Sequence, residues 1–295
     1  MSPQRLRGMG VALTTPFLQD GSIDYDTLDF HLDYLIDGNT DYIVALGTTA
    51  ETPTLTHDEK KQLALHILDH VAGRCPLVLG IGGNSTAAVI DEIHHTDRLE
   101  EFDAILSVVP YYNKPVQEGM YRHFAAIAKA SPIPVVLYNI PGRTGVNMNV
   151  DTIIRLAKDF PDKIIGVKEA SGNMEQAQNV ITRRPKGFLV LSGDDSLAHS
   201  MIRLGGDGVI SVLGNAYPAQ FTEMIHKSLD EETVEEASLL HQKFSALYSL
   251  LFKDGNPAGI KCLLHLLFPR YQEVLRLPLI PATDTTRKGL KAEIL

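Results

Sequence analysis

Long apolar runs are missing from this chain of 295 residues. No stretch approaches the roughly 18 residues that a membrane-spanning helix needs. The opening MSPQRLRGMG also lacks the apolar centre of a secretion signal, so a cytoplasmic location is expected. Cysteine is scarce: Cys75 and Cys262 lie far apart, which excludes a disulfide framework and fits a reducing compartment. Positive charge is in deficit, with 27 Lys and Arg against 36 Asp and Glu and a net charge of -9. That balance argues against nucleic acid as the partner, though a few local cations suffice for a small anionic substrate. The 11 histidines show no metal-ligand spacing, so no metal is expected. His94 and His95 read as a solvated helix face.

What the chain does have is alternation. Apolar β-rich runs recur at Gly10–Thr14, Tyr42–Leu46, Leu77–Ile81, Ala104–Val109, Val135–Asn139, Ile164–Lys168, Phe188–Leu191 and Gly208–Val212. Segments with helical spacing lie between them. One carries Leu28, Leu32, Leu35 and Ile36 and ends at Gly38. The next opens on a Thr56/Glu59 capping box and stops at Gly73. Others are predicted at Gln117–Ala130, Val150–Asp159, Asn173–Thr182 and Asp195–Leu204. Eight such units predict an α/β fold, the closed (β/α)8 TIM barrel. A doubly wound open sheet is the alternative, but the nucleotide-binding glycine pattern it would carry is absent. Residues 1–225 are assigned to the barrel and 226–295 to a C-terminal helical region. The eighth barrel helix is predicted at Ala219–Leu229, and the helices beyond it at Val234–Phe252 and Pro257–Leu267, with one more in the tail.

The run Ile164-Ile165-Gly166-Val167-Lys168-Glu169 is an apolar strand that ends in an amine. Strict alternation puts Ile164, Gly166 and Lys168 on one face and Ile165 and Val167 on the other. A lysine at a buried strand end is costly to keep charged, and a neutral amine can condense with a carbonyl to form a Schiff base. The alternative is a lysine that snorkels into water. In a barrel, chemistry belongs on the loops at the C-terminal ends of the strands. Those loops hold Thr48-Thr49, Tyr111-Tyr112, Tyr138 with Arg143, Lys168, and Ser192-Gly193-Asp194-Asp195, with Ile210 on the last strand. An amine, phenols, hydroxyls and a guanidinium, without a metal cluster, suit condensation with a keto acid. In that reading Thr48, Tyr138 and Tyr112 pass protons, the Thr49 region holds a carboxylate, and Arg143 grips a second one.

The motifs GTTAE, PYYNKP, YNIPGRTG, GVKEASG, SGDD and GGDGVISV resemble the 4-hydroxy-tetrahydrodipicolinate (dihydrodipicolinate) synthase family. That family lies within the pyruvate-dependent class I aldolase superfamily that includes N-acetylneuraminate lyase. The resemblance spans nearly the whole chain. It implies a lyase that condenses pyruvate with L-aspartate 4-semialdehyde on the diaminopimelate route to lysine, with Lys168 as the Schiff-base residue and no cofactor. It further implies Tyr138, Thr48 and Tyr112 as a proton relay, with Tyr112 reaching in from a neighbouring subunit. Thr49, Gly193 and Ile210 would line the pyruvate site, and Arg143 would take the semialdehyde carboxylate. A homotetramer built as a dimer of dimers is expected, with neither nucleic acid nor membrane as partner.

Two other functions are carried forward: a retro-aldolase of the same superfamily acting on a sialic acid or 2-keto-3-deoxy sugar acid, and a catalytically silent barrel. The sequence departs from the family at Ala50, where glycine is usual. His57, Asn84 and Tyr111 match positions of the family's lysine feedback site, whereas Lys60 and Ala88 do not. Losing an acid and gaining a cation there predicts weak or absent inhibition by lysine.

Overall fold

A computed structural model describes residues 3–295. Eight strands, β1 (Gly8–Ala12), β2 (Tyr42–Ala45), β3 (Leu77–Gly80), β4 (Ala104–Val108), β5 (Val135–Asn139), β6 (Ile164–Glu169), β7 (Leu189–Ser192) and β8 (Gly208–Ser211), pair in sequence order. All pairings are parallel, and β1 joins both β2 and β8, so the barrel is closed. Closure excludes the open sheet and leaves no strand edge unpaired. The expected strands are all found, with ends displaced by at most two residues.

Two apolar zones divide the side chains. Tyr42, Val44, Leu106, Val136, Tyr138, Leu191 and Ile210 fill the barrel's inside. The other faces of the strands pack against the helical ring, where Leu28, Leu32 and Leu35 bury one face of the helix Tyr25–Asp37. Fully burying a leucine of this kind contributes about 2 kcal/mol. The helix His57–Val71 starts at the expected capping box: Glu59 N–H donates to Thr56 Oγ1 at 3.2 Å, and Thr56 N–H donates to Glu59 Oε2 at 2.8 Å.

Two expectations need correction. Strict alternation fails at the base of β6, because Val135 pairs with Ile164 while Val136 pairs with Gly166. Ile165 is therefore an extra residue in a bulge. It points inward with Val136, while Ile164 packs outward on the helices. The segment expected as one helix over Val234–Phe252 is two, Val234–Lys243 and Ser245–Lys253. Phe244 breaks it at φ -87° and ψ -5°. Its buried ring packs on Phe221 at 5.5 Å. The apolar period runs through the break, which is why spacing alone conceals it.

Beyond Pro218–Leu229, which packs on β1 and β8, the helix Val234–Lys243 lies against that helix on the outside, and the chain from Asn256 onward returns to the barrel's mouth. Tyr271 OH donates to Thr14 Oγ1 at 2.7 Å, just past β1. Among the described residues, no helix is long and apolar enough to cross a membrane.

Candidate active site

The site is built where β5 and β6 end side by side. Tyr138 and Lys168 are register partners, both on the inner face and both buried. The Lys168 amine lies 4.3 Å from the centre of the Tyr138 ring. The next residues, Asn139 and Glu169, face outward and lock the two strand ends together. Asn139 Nδ2 donates to Glu169 Oε2 at 3.0 Å, and Gln176 Nε2 donates to the same oxygen at 2.9 Å. Ser171 N–H donates to Glu169 Oε1 at 2.7 Å. Each inward residue is thus positioned by hydrogen bonds made by its outward neighbour.

Gly193, just past β7, leaves room for the lysine. A Cβ there would lie 2.4 Å from the Ala170 Cβ and 3.1 Å from Lys168 Cε. Ile210 on β8 is buried in the same inner cluster as Tyr138 and Leu191.

Thr48 and Thr49 occupy a one-turn 3-10 helix after β2, bracketed by left-handed backbone at Leu46 (φ 53°) and Glu51 (φ 56°). Non-glycine residues in that region are strained, and such strain gathers at working loops. Space for the turn comes from Gly80 on β3, where a Cβ would meet the Leu46 carbonyl oxygen at 2.2 Å. Thr49 is buried and Thr48 half-buried. Ala50 sits buried in this turn, and its carbonyl accepts from Thr15 Oγ1 at 2.8 Å.

Arg143 lies on the single turn Pro141–Thr144 directly after β5, exposed to solvent. Its Nη2 donates to the Asn256 carbonyl at 3.2 Å. Asn256 Nδ2 donates to Thr49 Oγ1 at 3.0 Å, so one residue ties the Thr49 turn to the arginine. Sequence reading did not single out Asn256. Its only signal is the Asn-Pro step that opens the helix Ala258–Leu267. The structure thus brings Lys168, Tyr138, Gly193 and Ile210 together, and joins Thr49 to Arg143. Tyr112 is set apart: its backbone is left-handed (φ 71°) and its side chain is 88% exposed.

Of the residues expected at a feedback site, Asn84 and Tyr111 meet, with Asn84 Nδ2 donating to the Tyr111 carbonyl at 3.2 Å. His57, Lys60 and Ala88 line a separate surface groove of about 710 Å³ together with Glu92. His94 and His95 lie on an exposed helix face, as their sequence position implied. Among the described residues, no group of three or more His, Cys, Asp or Glu is placed to hold a metal ion.

A closed parallel barrel with a buried lysine and a phenol at the C-terminal ends of adjacent strands defines a lyase of the class I aldolase type. Residues 5–295 match the model of the Dihydrodipicolinate synthetase family. The chain belongs to that family. It is 50% identical over 291 residues to a protein from Parabacteroides distasonis named 4-hydroxy-tetrahydrodipicolinate synthase, covering 99% of this chain and 97% of the relative. Among solved structures it resembles a dihydrodipicolinate synthase variant described as the first monomeric one. That pair gives a TM-score of 0.94 and 34% identity, over 99% of this chain and 96% of the other. It also resembles the Cyanidioschyzon merolae enzyme described with lysine bound, at a TM-score of 0.93 and 38% identity, over 98% and 97% of the two chains.

Proposed function

We propose that this chain condenses pyruvate with L-aspartate 4-semialdehyde through a Schiff base on Lys168, releasing one water, on the diaminopimelate route to lysine. The Lys168 amine attacks the keto carbon of pyruvate, and the ketone oxygen leaves as water to give the imine. Loss of a methyl proton turns the imine into an enamine, whose carbon attacks the aldehyde. The amino group of the second substrate then displaces Lys168, closing the ring and freeing the enzyme. Tyr138, Thr48 and Tyr112 carry the protons. The Thr49 turn receives the pyruvate carboxylate beside Gly193 and Ile210, and Arg143 receives the carboxylate of the semialdehyde. No added cofactor is needed, because the imine itself is the electron sink.

The observation that carries this reading is the placement of Lys168: buried, at the end of an inner strand, beside the Tyr138 ring at 4.3 Å. Reduction with borohydride in the presence of pyruvate is expected to fix the three-carbon unit on the peptide holding Lys168. Absence of that adduct overturns the reading. Steady-state rates with the semialdehyde and with sialic or 2-keto-3-deoxy sugar acids separate the condensation from a retro-aldol activity. An Arg143→Ala variant unimpaired with the semialdehyde would count against the assigned second substrate.

The same reading makes the working form a cytoplasmic homotetramer, a pair of dimers in which Tyr112 serves the neighbour's site. Support comes from the exposure of Tyr112, which is left-handed in backbone and turned to solvent. His57, Asn84 and Tyr111 are carried as the remnant of a regulatory site.

A further inference from the structure

Glu51 and Lys261 form an ion pair beyond the reach of water, both side chains being 0% exposed. The second carboxylate oxygen of Glu51 accepts from the Arg276 backbone N–H at 3.0 Å. The Lys261 ammonium also donates to the Val274 carbonyl at 2.9 Å and lies 4.2 Å from the centre of the Phe17 ring. A dry pair of this kind is a poor way to stabilise a fold. Stripping water from two charges costs about what their attraction returns, and a well-packed apolar pair often does as well.

What the pair supplies is geometry. Glu51 follows Thr49 by two residues, and Lys261 follows Asn256 by five. Asn256 in turn donates its side-chain amide to Thr49 Oγ1. These four residues therefore close a ring: along the chain from Thr49 to Glu51, across the ion pair, back down the first helical turn to Asn256, and across the hydrogen bond. Arg143 is attached to the same ring through the Asn256 carbonyl. Because Thr49 Oγ1 accepts from Asn256, its own proton is left to donate to an incoming anion.

We propose that the Lys261–Glu51 pair positions the Thr49 turn for keto-acid binding, setting from outside the barrel mouth the hydroxyl that receives the substrate carboxylate. The inference rests on the reading above, in which that turn binds pyruvate. Removing one charge strands the other in a dry pocket. Relief comes by admitting water or by moving the turn, and either swings Thr49 out of line.

The test follows borohydride trapping of pyruvate on Lys168 across pyruvate concentrations, in the wild type, Glu51→Gln, Lys261→Met and the double variant. The double variant leaves no stranded charge, so it is read where a single change prevents folding. Half-saturating pyruvate should rise roughly tenfold or more in each single variant, while saturating pyruvate still labels Lys168. The double variant should be no worse than the worse single one, because the two residues act as a unit. Leu263→Ala opens a cavity in the same helix and should lower the melting temperature without moving half-saturation. Half-saturation in the double variant within about twofold of wild type, or an equal shift in Leu263→Ala, overturns the positioning role alone. No adduct in the wild type overturns the functional reading and this inference with it.

Discussion

Lys168 and Tyr138 stand opposite one another on adjacent strands, the amine 4.3 Å from the centre of the phenol ring. The ring's place does not depend on its hydroxyl, because Asn139 and Glu169 hold the strand ends. Tyr138→Phe should therefore keep the amine's surroundings and lose only the proton carrier. Borohydride trapping on Lys168 is expected to persist, while turnover falls by roughly 10²–10⁴-fold. Turnover close to wild type would remove Tyr138 from the relay.

Gly193 gives a steric test of the same site. An added methyl would stand 3.1 Å from Lys168 Cε and 2.4 Å from the Ala170 Cβ. Gly193→Ala is expected to push the lysine stem aside and slow adduct formation by roughly tenfold or more, because small misplacements of a nucleophile are costly. Stopped-flow or quench trapping reads this rate directly. An unchanged rate would mean the lysine has slack that the packing does not suggest.

Tyr112 can be tested by complementation. Tyr112→Phe and Lys168→Ala chains should each be nearly inactive alone. Mixed and allowed to exchange subunits, they should regain activity, since one site of each hybrid dimer draws both residues from unmutated positions. No recovery after proven exchange would place Tyr112 in its own chain's chemistry or in none.

Acid stability follows from two buried histidines. Burial pushes the His31 imidazole down to about 4, with its Nε2 3.0 Å from the Asn215 carbonyl. Burial likewise lowers His123 to about 4. An unfolded histidine takes up its proton near 6.5, so as pH falls below that value the unfolded chain gains a proton the folded one refuses. Each residue thus subtracts stability from about pH 6.5 down to about 4, by up to about 3 kcal/mol. Asp195 acts in the opposite sense, since burial raises it to about 6. Its folded form holds a proton longer, and the stability it adds is lost as pH rises from about 4 through about 6. Two terms outweigh one, so the urea midpoint should drop between pH 6.5 and 4. His31→Gln should flatten that slope, and an unaltered slope would exclude His31 as its source.

The groove beside His57 bears on regulation. Lys60 contributes a cation to it and Ala88 no charge. Glu92 also lines it, with burial pushing that carboxyl above its ordinary range despite Lys60 and His57 nearby. Asp91 and Glu92 still offer carboxylates, and Asp97 is paired with Lys61. Lys60 adds a cation and Ala88 supplies no acid, so a cationic amino acid is held less well than it would be by acids at those two positions. Lysine is expected to inhibit only weakly, and half-inhibition well below about 1 mM in a coupled assay at neutral pH would contradict this.

The barrel was legible because every strand is a short apolar run and the helices between carry their own caps, Thr56 with Glu59 being the clearest. That Lys168 ends a buried strand was legible less from its own segment, which also reads as a lysine snorkelling to water, than from the polar groups at the other strand ends. The Ile165 bulge was not, since an extra residue shows only in how a strand pairs with its neighbour. Nor was the Thr49–Asn256 bond, which joins positions 207 residues apart. Lys261 left a faint signal, a lone charge within the apolar AGIKCLLHLL, but its partner lies 210 residues away. Local pattern reports which face is buried and says nothing of which distant group meets it.

The strapping of the barrel by the chain beyond Leu229 also bears on how such proteins can be recombined. A chimaera cut just past Leu229, where the last barrel helix ends, would separate Thr14 from Tyr271, Glu51 from Lys261, and Glu59 from Arg276. Donor and recipient must agree at all of these positions, so the tail is inherited with its barrel and is not an interchangeable module.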